Sequence, residues 1–220
     1  MKNRLPSPLP AQDPLQHLRN ELACSQAELR RTRIELQHAR TSEQQARHQA
    51  LHDSLTELPN RSCFRQRLDH DLALGQPLAQ ASAPVLAVLY LDLDGFKPIN
   101  DRHGHEAGDG VLRIVATRLA RAVRSDDMVC RVGGDEFVCL LGDVLNRQQL
   151  SHLACKLFDA VSAPLRIGTL DLLVRPSIGI AVCPQDGDTT DALLRRADIA
   201  MYRAKRQQLG YAFFDATIDG

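Results

Sequence analysis

The 220-residue chain has no excess of charge, since its 27 lysines and arginines are matched by 27 aspartates and glutamates. Without a net field there is no general attraction for nucleic acid or an anionic membrane surface, so any phosphate recognition has to be local. Long apolar runs are missing too. The longest, Val85 to Leu91, falls far short of the roughly 18 residues of a membrane span, and Met1 to Pro10 lacks the apolar stretch of a secretory leader. A soluble, cytoplasmic protein with no membrane span and no nucleic-acid partner is the expectation. The six cysteines (Cys24, Cys63, Cys130, Cys139, Cys155, Cys183) form no C-x-x-C pair, and several sit in apolar segments. That argues against zinc ligation and favours reduced, partly buried thiols over disulfides. There is no internal repeat and no low-complexity tract. The 44% hydrophobic content suffices for one catalytic-size domain with an appendage.

The other absence is local: neither glycine nor proline interrupts residues 15 to 58. Residues 1–12 hold three prolines and read as irregular, and Asp13-Pro14 then looks like an N-cap followed by proline at the first helical position. Leu15, Leu22, Leu29 and Leu36 recur every seven residues, with Leu18, Ser25, Thr32, Ala39 and Ala46 on the companion seam positions. This is a coiled-coil pattern that is firm early and weak late, where Glu43 occupies a seam position. A homodimer through the helix of residues 13–52 is expected; a single amphipathic helix folded onto its own domain is the alternative. After Pro59, helices (63–74, 110–123, 148–161, 190–205) are interspersed with strands (85–93, a hairpin over 128–141, 165–174, 177–182, 211–214), with a loop over 75–84 and a tail over 217–220. Because hairpins interrupt the helix–strand alternation, an α+β fold with helices flanking a sheet is favoured over a strict βα repeat.

Chemistry concentrates in three places. In Arg131-Val132-Gly133-Gly134-Asp135-Glu136-Phe137, two glycines and two acids occupy the tip of the hairpin. On its own the turn is either a solvated tip or a pair of carboxylates presented where backbone can approach a ligand. The strand 85–93 leads into Asp92-Leu93-Asp94-Gly95-Phe96-Lys97, placing acids where the chain leaves the core. If the two segments are neighbours in the sheet, Asp92 with Asp135 or Glu136 can share a hard cation, as magnesium uses one or two carboxylates plus phosphate oxygens. The run from Lys97 to Gly110 is too polar and glycine-rich for a core segment and reads as a binding loop feeding a helix. Within it Asn100 and Asp109 suit guanine, because a carboxylate can accept from both N1–H and N2–H. His103 and His105 read as hydrogen-bonding or surface residues in preference to a metal pair, which would need further ligands.

Together these segments resemble the GGDEF-domain diguanylate cyclases. The resemblance spans about residues 51 to 215 and rests on motifs in family order: Asp53-Ser54-Leu55-Thr56 with Leu58-Pro59-Asn60-Arg61, Asp92-Leu93-Asp94, Phe96-Lys97, Asn100-Asp101, Gly104-His105, Gly108-Asp109, the Gly-Gly-Asp-Glu-Phe hairpin, Ser177-Ile178-Gly179-Ile180-Ala181, and Ala197-Asp198 through Ala204-Lys205. It implies a mostly antiparallel, nucleotide-cyclase or palm-like sheet over residues 53–216, preceded by the coiled-coil helix. The implied activity is condensation of two GTP molecules into cyclic di-GMP by a dimer. By this resemblance Asp92, the Leu93 carbonyl and Asp135 hold magnesium, with manganese as an alternative. Glu136 assists at the metals or at the reacting hydroxyl, so that Asp135 and Glu136 are the implied catalytic residues. Phe96, Lys97, Asn100, His105, Asp109, Gly133, Gly134 and Lys205 bind substrate, while Arg124 and Asp127 form an R-x-x-D site that binds cyclic di-GMP as inhibitor. Two departures stand out. Arg206-Gln207-Gln208-Leu209-Gly210 lacks the family's phosphate-binding arginine, and Glu57 stands where glycine is common. The first of these keeps a second reading open, a catalytically weak receptor for cyclic di-GMP.

Overall fold

The computed structural model describes residues 14–75, 85–144 and 146–219; the expected irregular segment 1–12 and most of the expected loop 75–84 lie outside them. Two compact units divide near His48 and Gln49. In the first, helix α1 (Pro14–Leu51) runs unbroken as the lack of glycine and proline requires, and its Leu15, Leu18, Leu22, Leu29 and Leu36 are all exposed. Arg31 and Glu35, one turn apart, form an ion pair of 3.0 Å on its surface.

The second unit is built on a five-stranded sheet of order β2-β3-β1-β6-β7. The strands are β1 (Val85–Asp94), β2 (Met128–Gly133), β3 (Glu136–Val144), β6 (Arg175–Cys183) and β7 (Tyr211–Phe213). All neighbouring pairs are antiparallel except β6–β7. The central β1 is an apolar run because both of its faces are covered. One face meets α4 (His105–Ala122) and α5 (Arg147–Ser162), where Leu89, Leu91, Phe137, Ile178 and Ile180 pack with Val115, Leu119, Ala154 and Leu157. On the other face, Val88, Val138, Leu140 and Ala181 pack with Phe64 and Leu68 of α2 (Arg61–Gly75) and Leu193 and Ala197 of α6 (Thr190–Gln207). Each fully buried leucine or phenylalanine contributes about 1.5–3 kcal/mol. A short helix α3 (Phe96–His103), a two-stranded ribbon of β4 (Leu165–Ile167) and β5 (Leu170–Leu172), and a last turn α7 (Ala216–Asp219) complete the unit.

Three expectations need correction. The run 97–110 is helical in both halves, with α3 and α4 meeting at Gly104, whose φ of 82° breaks the helix. Proline is tolerated at position 98 because it falls in the first turn of α3, where no intrahelical donor is lost. The expected strand 165–174 is instead the β4–β5 ribbon, turned at Gly168 with φ 59°. The tail over 217–220 is helical through Asp219, where Thr217 and Asp219 bond back to Asp215.

Candidate active site

Sheet register brings the first two acidic segments together. Asp92 of β1 pairs directly with Glu136, the first residue of β3, and Asp135 sits beside it in the two-residue turn after Gly133. Gly133 and Gly134 have φ of 152° and 52°, conformations that favour glycine, and a Cβ on either would meet nothing within 4 Å. Their requirement is therefore conformational, and the turn backbone is open to close approach. From the α6 side the Lys205 ammonium pairs with Asp92 and lies 3.7 Å from Asp94. Asp94 also accepts from the Ser177 hydroxyl at 2.9 Å. The Tyr90 hydroxyl donates to Glu136 Oε2 at 3.1 Å.

The electrostatics follow from this crowding. Burial, then the charge of Asp92, raises the Asp135 pKa above the ordinary carboxylate value. Glu136 is raised as well, by burial and by Asp92, Asp198 and Asp135, with the Tyr90 hydrogen bond opposing. Asp198 is pushed up by desolvation of its carboxyl and by Asp92, although the residue as a whole is exposed. Desolvation works against the Lys205 charge, but Asp92, Asp94 and Asp135 outweigh it and hold the ammonium above its usual pKa. Burial and the Glu136 charge lift the Tyr90 phenol well above its ordinary range, so it remains a donor at physiological pH. Several acids are thus held against one ammonium, an arrangement that favours added positive charge.

A divalent cation fits this donor chemistry. The carboxylates of Asp92 and Asp135 are hard oxygen ligands; the Leu93 side chain is core, so that residue has only its carbonyl to offer. Among the described residues no three His, Cys, Asp or Glu converge into a closed cage. An open set of this kind suits a cation that fills its remaining positions with phosphate oxygens and water.

The expected base-reading residues lie on α3 and α4, the two helices that follow directly from the acidic end of β1. Asn100 Oδ1 is buried and, among the described residues, accepts no hydrogen bond. The helices approach so closely there that a Cβ at Gly108 would fall 1.8 Å from that oxygen. A buried acceptor without a donor is costly unless a ligand N–H satisfies it. Asp109 is half-buried on α4, His105 and Lys97 are exposed, and the Phe96 ring belongs to the core, leaving Phe96 its backbone for ligand contact.

The R-x-x-D segment forms a turn in which the Asp127 carboxylate accepts the Arg124 backbone N–H at 3.0 Å. Among the described residues no ion pair joins the two side chains, so the Arg124 guanidinium is not consumed by Asp127. A cavity of about 360 Å³ there is lined by Arg124, Asp127, His152 and Lys156.

Sequence reasoning had assigned no role to Tyr90, Asp198 or Ser177, nor seen what fixes the hairpin. Arg131 donates to the Gly134 carbonyl through Nε and Nη2 at 2.9 and 2.8 Å, and through Nη1 to both oxygens of Asp53 at 2.9 and 3.0 Å. Asp53 also accepts from Thr56 N and Oγ1 at 2.9 and 2.7 Å. These bonds, chiefly those from Thr56 and Arg131, outweigh desolvation and hold the Asp53 carboxyl below its ordinary pKa. The Asp-x-x-Thr spacing signals this turn locally; its partner 78 residues away has no local signal.

A mixed sheet with an acidic centre at a strand end, and helices α3 and α4 leading away from it, defines an α+β domain with a candidate cation site. Comparison with known proteins gives the family: the model described as "Diguanylate cyclase, GGDEF domain" matches residues 50–210, and the chain belongs to that family. It is 43% identical over 171 residues to the bifunctional diguanylate cyclase/cyclic di-GMP phosphodiesterase MucR of Pseudomonas aeruginosa, covering 77% of this chain and 24% of MucR. It is 44% identical over 164 residues to the diguanylate cyclase TpbB of Pseudomonas aeruginosa, covering 74% of this chain and 37% of TpbB. The chain therefore spans less than two fifths of either relative. The solved GGDEF domain of TpbB superposes with a TM-score of 0.70 at 42% identity, covering 74% of this chain and 94% of that one. The coiled coil and GGDEF domain of DgcB from Caulobacter crescentus, solved in complex with c-di-GMP, gives a TM-score of 0.71 at 28% identity over 89% of this chain and 98% of that one. No helix among the described residues is long and apolar enough to cross a membrane.

Proposed function

We propose that this chain is a diguanylate cyclase, with residues 53–216 as the catalytic domain and the helix of residues 13–52 as its pairing segment. The observation that carries the reading is the placement of Asp92 opposite Glu136 and beside Asp135, with Lys205 against Asp92. In each of two equivalent steps a GTP 3′-oxygen bonds to the α-phosphorus of the second GTP, the Pα–O bond to the β-phosphate breaks, and pyrophosphate leaves. Asp92, the Leu93 carbonyl and Asp135 hold magnesium, or manganese in its place; when bound, the ion offsets triphosphate charge and polarises the reacting hydroxyl. The hydroxyl proton passes to a carboxylate of the Asp135–Glu136 pair. Lys97 and Lys205 bear on the phosphates, and the Gly133-Gly134 backbone lets the nucleotide approach the turn. Asn100, His105 and Asp109 contact the guanine or the ribose. One GTP is presented by each subunit, and the exposed leucines of α1 form the pairing seam. Incubation of the purified chain with GTP and magnesium is expected to yield cyclic di-GMP and pyrophosphate, identified by mass spectrometry. No product at high protein concentration overturns the proposal.

Product inhibition through Arg124 and Asp127 belongs to the same proposal and is supported by a guanidinium that, among the described residues, forms no ion pair with Asp127, and by the cavity beside it, lined by Arg124 and Lys156 as well as Asp127 and Asp143. A second reading, a cyclic di-GMP receptor with little turnover, is favoured by the segment Arg206-Gln207-Gln208-Leu209-Gly210, which lacks the phosphate-binding arginine that the family resemblance leads one to expect. Arg124→Ala separates the two. A cyclase keeps or gains turnover and loses feedback by cyclic di-GMP, whereas a receptor loses its ligand and has no turnover to keep.

A further inference from the structure

The first strand residue of β6, Arg175, is a direct cross-strand partner of Asp94. Directly opposed residues of an antiparallel pair project to the same face. The identity of that face is fixed by its neighbours. Ile178 and Ile180 point to the α4–α5 side, so Arg175, Ser177 and Gly179 share the opposite one. Gly179 confirms it, because a Cβ there would fall 1.9 Å from the Ala197 carbonyl of α6. Ser177 confirms it again through its bond to Asp94, which lies 3.7 Å from Lys205. Arg175 is therefore the next side chain outward on the row that carries Ser177, beside the row of Tyr90, Asp92 and Asp94. It is exposed and, among the described residues, pairs with no carboxylate, although Asp94 is its strand neighbour.

The two arginines in the last turns of α6 are engaged elsewhere. Arg203, 18% exposed, bonds the Phe213 carbonyl and lies 2.9 Å from Asp219, so it is unable to turn toward the acids. Arg206 lies over the Tyr202 ring at 5.9 Å. At the C-terminal end of α6, Gln208 adopts a left-handed cap and half-exposed Leu209 adds no charge, while Gly210 accepts from Ile178 N at 3.0 Å. The end of α6 and the start of β6 thus converge, with Arg175 as the cation on the strand side.

Resting on the cyclase reading above, we propose that Arg175 binds the phosphate chain of the nucleotide, facing Lys205 across the acidic centre. A guanidinium presents a planar fork that takes two phosphate oxygens at once. A nucleoside triphosphate brings more negative charge than Lys205 and Lys97 alone offset. The arginine missing from the segment 206–210 is in this way supplied from the neighbouring strand.

The test uses the full chain with wild type, Arg175→Ala, Arg175→Lys and Arg206→Ala, measuring steady-state GTP kinetics with magnesium and binding of inorganic tripolyphosphate by calorimetry. Arg175→Ala is expected to raise KM for GTP and weaken tripolyphosphate binding about tenfold or more. The lysine variant recovers part of the loss, and Arg206→Ala leaves both values unchanged. Cyclic di-GMP formation by Arg175→Ala with unchanged KM overturns the inference and leaves the cyclase reading standing. Arginine-dependent tripolyphosphate binding without any cyclic di-GMP from wild type upholds the inference and overturns that reading. Absence of both binding and turnover in wild type overturns both.

Discussion

Replacing Asp53 by alanine should loosen the hairpin from 78 residues away, because Asp53 is the anchor against which Arg131 holds the Gly134 carbonyl. The pair is largely screened from water, with 12% and 21% of the Arg131 and Asp53 side chains exposed. Removing one member of a fully buried pair costs roughly 3–5 kcal/mol, and a hydrogen bond to a charged group is worth roughly 1.5–3. Asp53 loses its bonds to both Thr56 and Arg131, but Arg131 keeps Gly134 and residual hydration, so a loss of about 3 kcal/mol is expected. With a urea slope of about 2 kcal/mol/M, the unfolding midpoint followed by circular dichroism should fall by about 1.5 M. The pH dependence has a definite sign. The folded pKa of Asp53 lies below its unfolded value near 3.9, so the contribution is complete above that value and disappears as pH falls through the lowered folded pKa. Wild type should lose this increment below about pH 4. The Asp53→Asn variant should show no such loss at that position. A midpoint shift under about 0.3 M for Asp53→Ala, at unchanged slope, would refute the argument.

Three further outcomes follow from the same geometry. Glu57 holds φ 60° in the turn after Asp53, a conformation costing an L-residue roughly 1–2 kcal/mol. After the added chain entropy of glycine, Glu57→Gly should stabilise the domain by about 0.5–1 kcal/mol in urea unfolding; a destabilised variant contradicts the strain. Gly179→Ala places a methyl 1.9 Å from the Ala197 carbonyl and 2.2 Å from Met201 N, which only separation of α6 from the sheet relieves. A loss of about 3 kcal/mol or more is expected, with turnover falling further than stability because Lys205 and Asp198 ride on α6; a stable variant of normal activity argues against the contact. Leu22→Asp with Leu29→Asp should shift sedimentation toward monomer and make specific activity rise steeply with protein concentration. Unchanged dimer at micromolar concentration removes α1 as the pairing element.

Legibility in the sequence followed the range of the interaction. The apolar run before Asp92 and the turn chemistry of Gly133-Gly134 gave β1, β2 and β3, and the α+β class followed from their order. The side chains that complete the site come from separate elements: Tyr90 reaches Glu136 across 46 residues and Lys205 reaches Asp92 across 113. Motif resemblance found Lys205 but not Tyr90, because a tyrosine within an apolar strand carries no sign that its hydroxyl meets an acid. Glycine misled in the segment 97–110 for a related reason. Gly108 read as a loop residue and Gly110 as the point where the loop gives way to helix, yet both lie inside α4, where a Cβ would strike Asn100 at 1.8 Å and approach Ile167 at 3.1 Å. They are small to admit neighbours and not to bend the chain, a distinction set by α3 and the β4–β5 ribbon that no local pattern encodes. Arg175 shows the same limit: from sequence it is one arginine before a proline, and only the register with Asp94 gives it a position beside the acids. A departure such as Leu209 is therefore to be weighed against the strands packed beside it before it is counted as a loss, because a cation can be restored to one position in space from a different position in the chain.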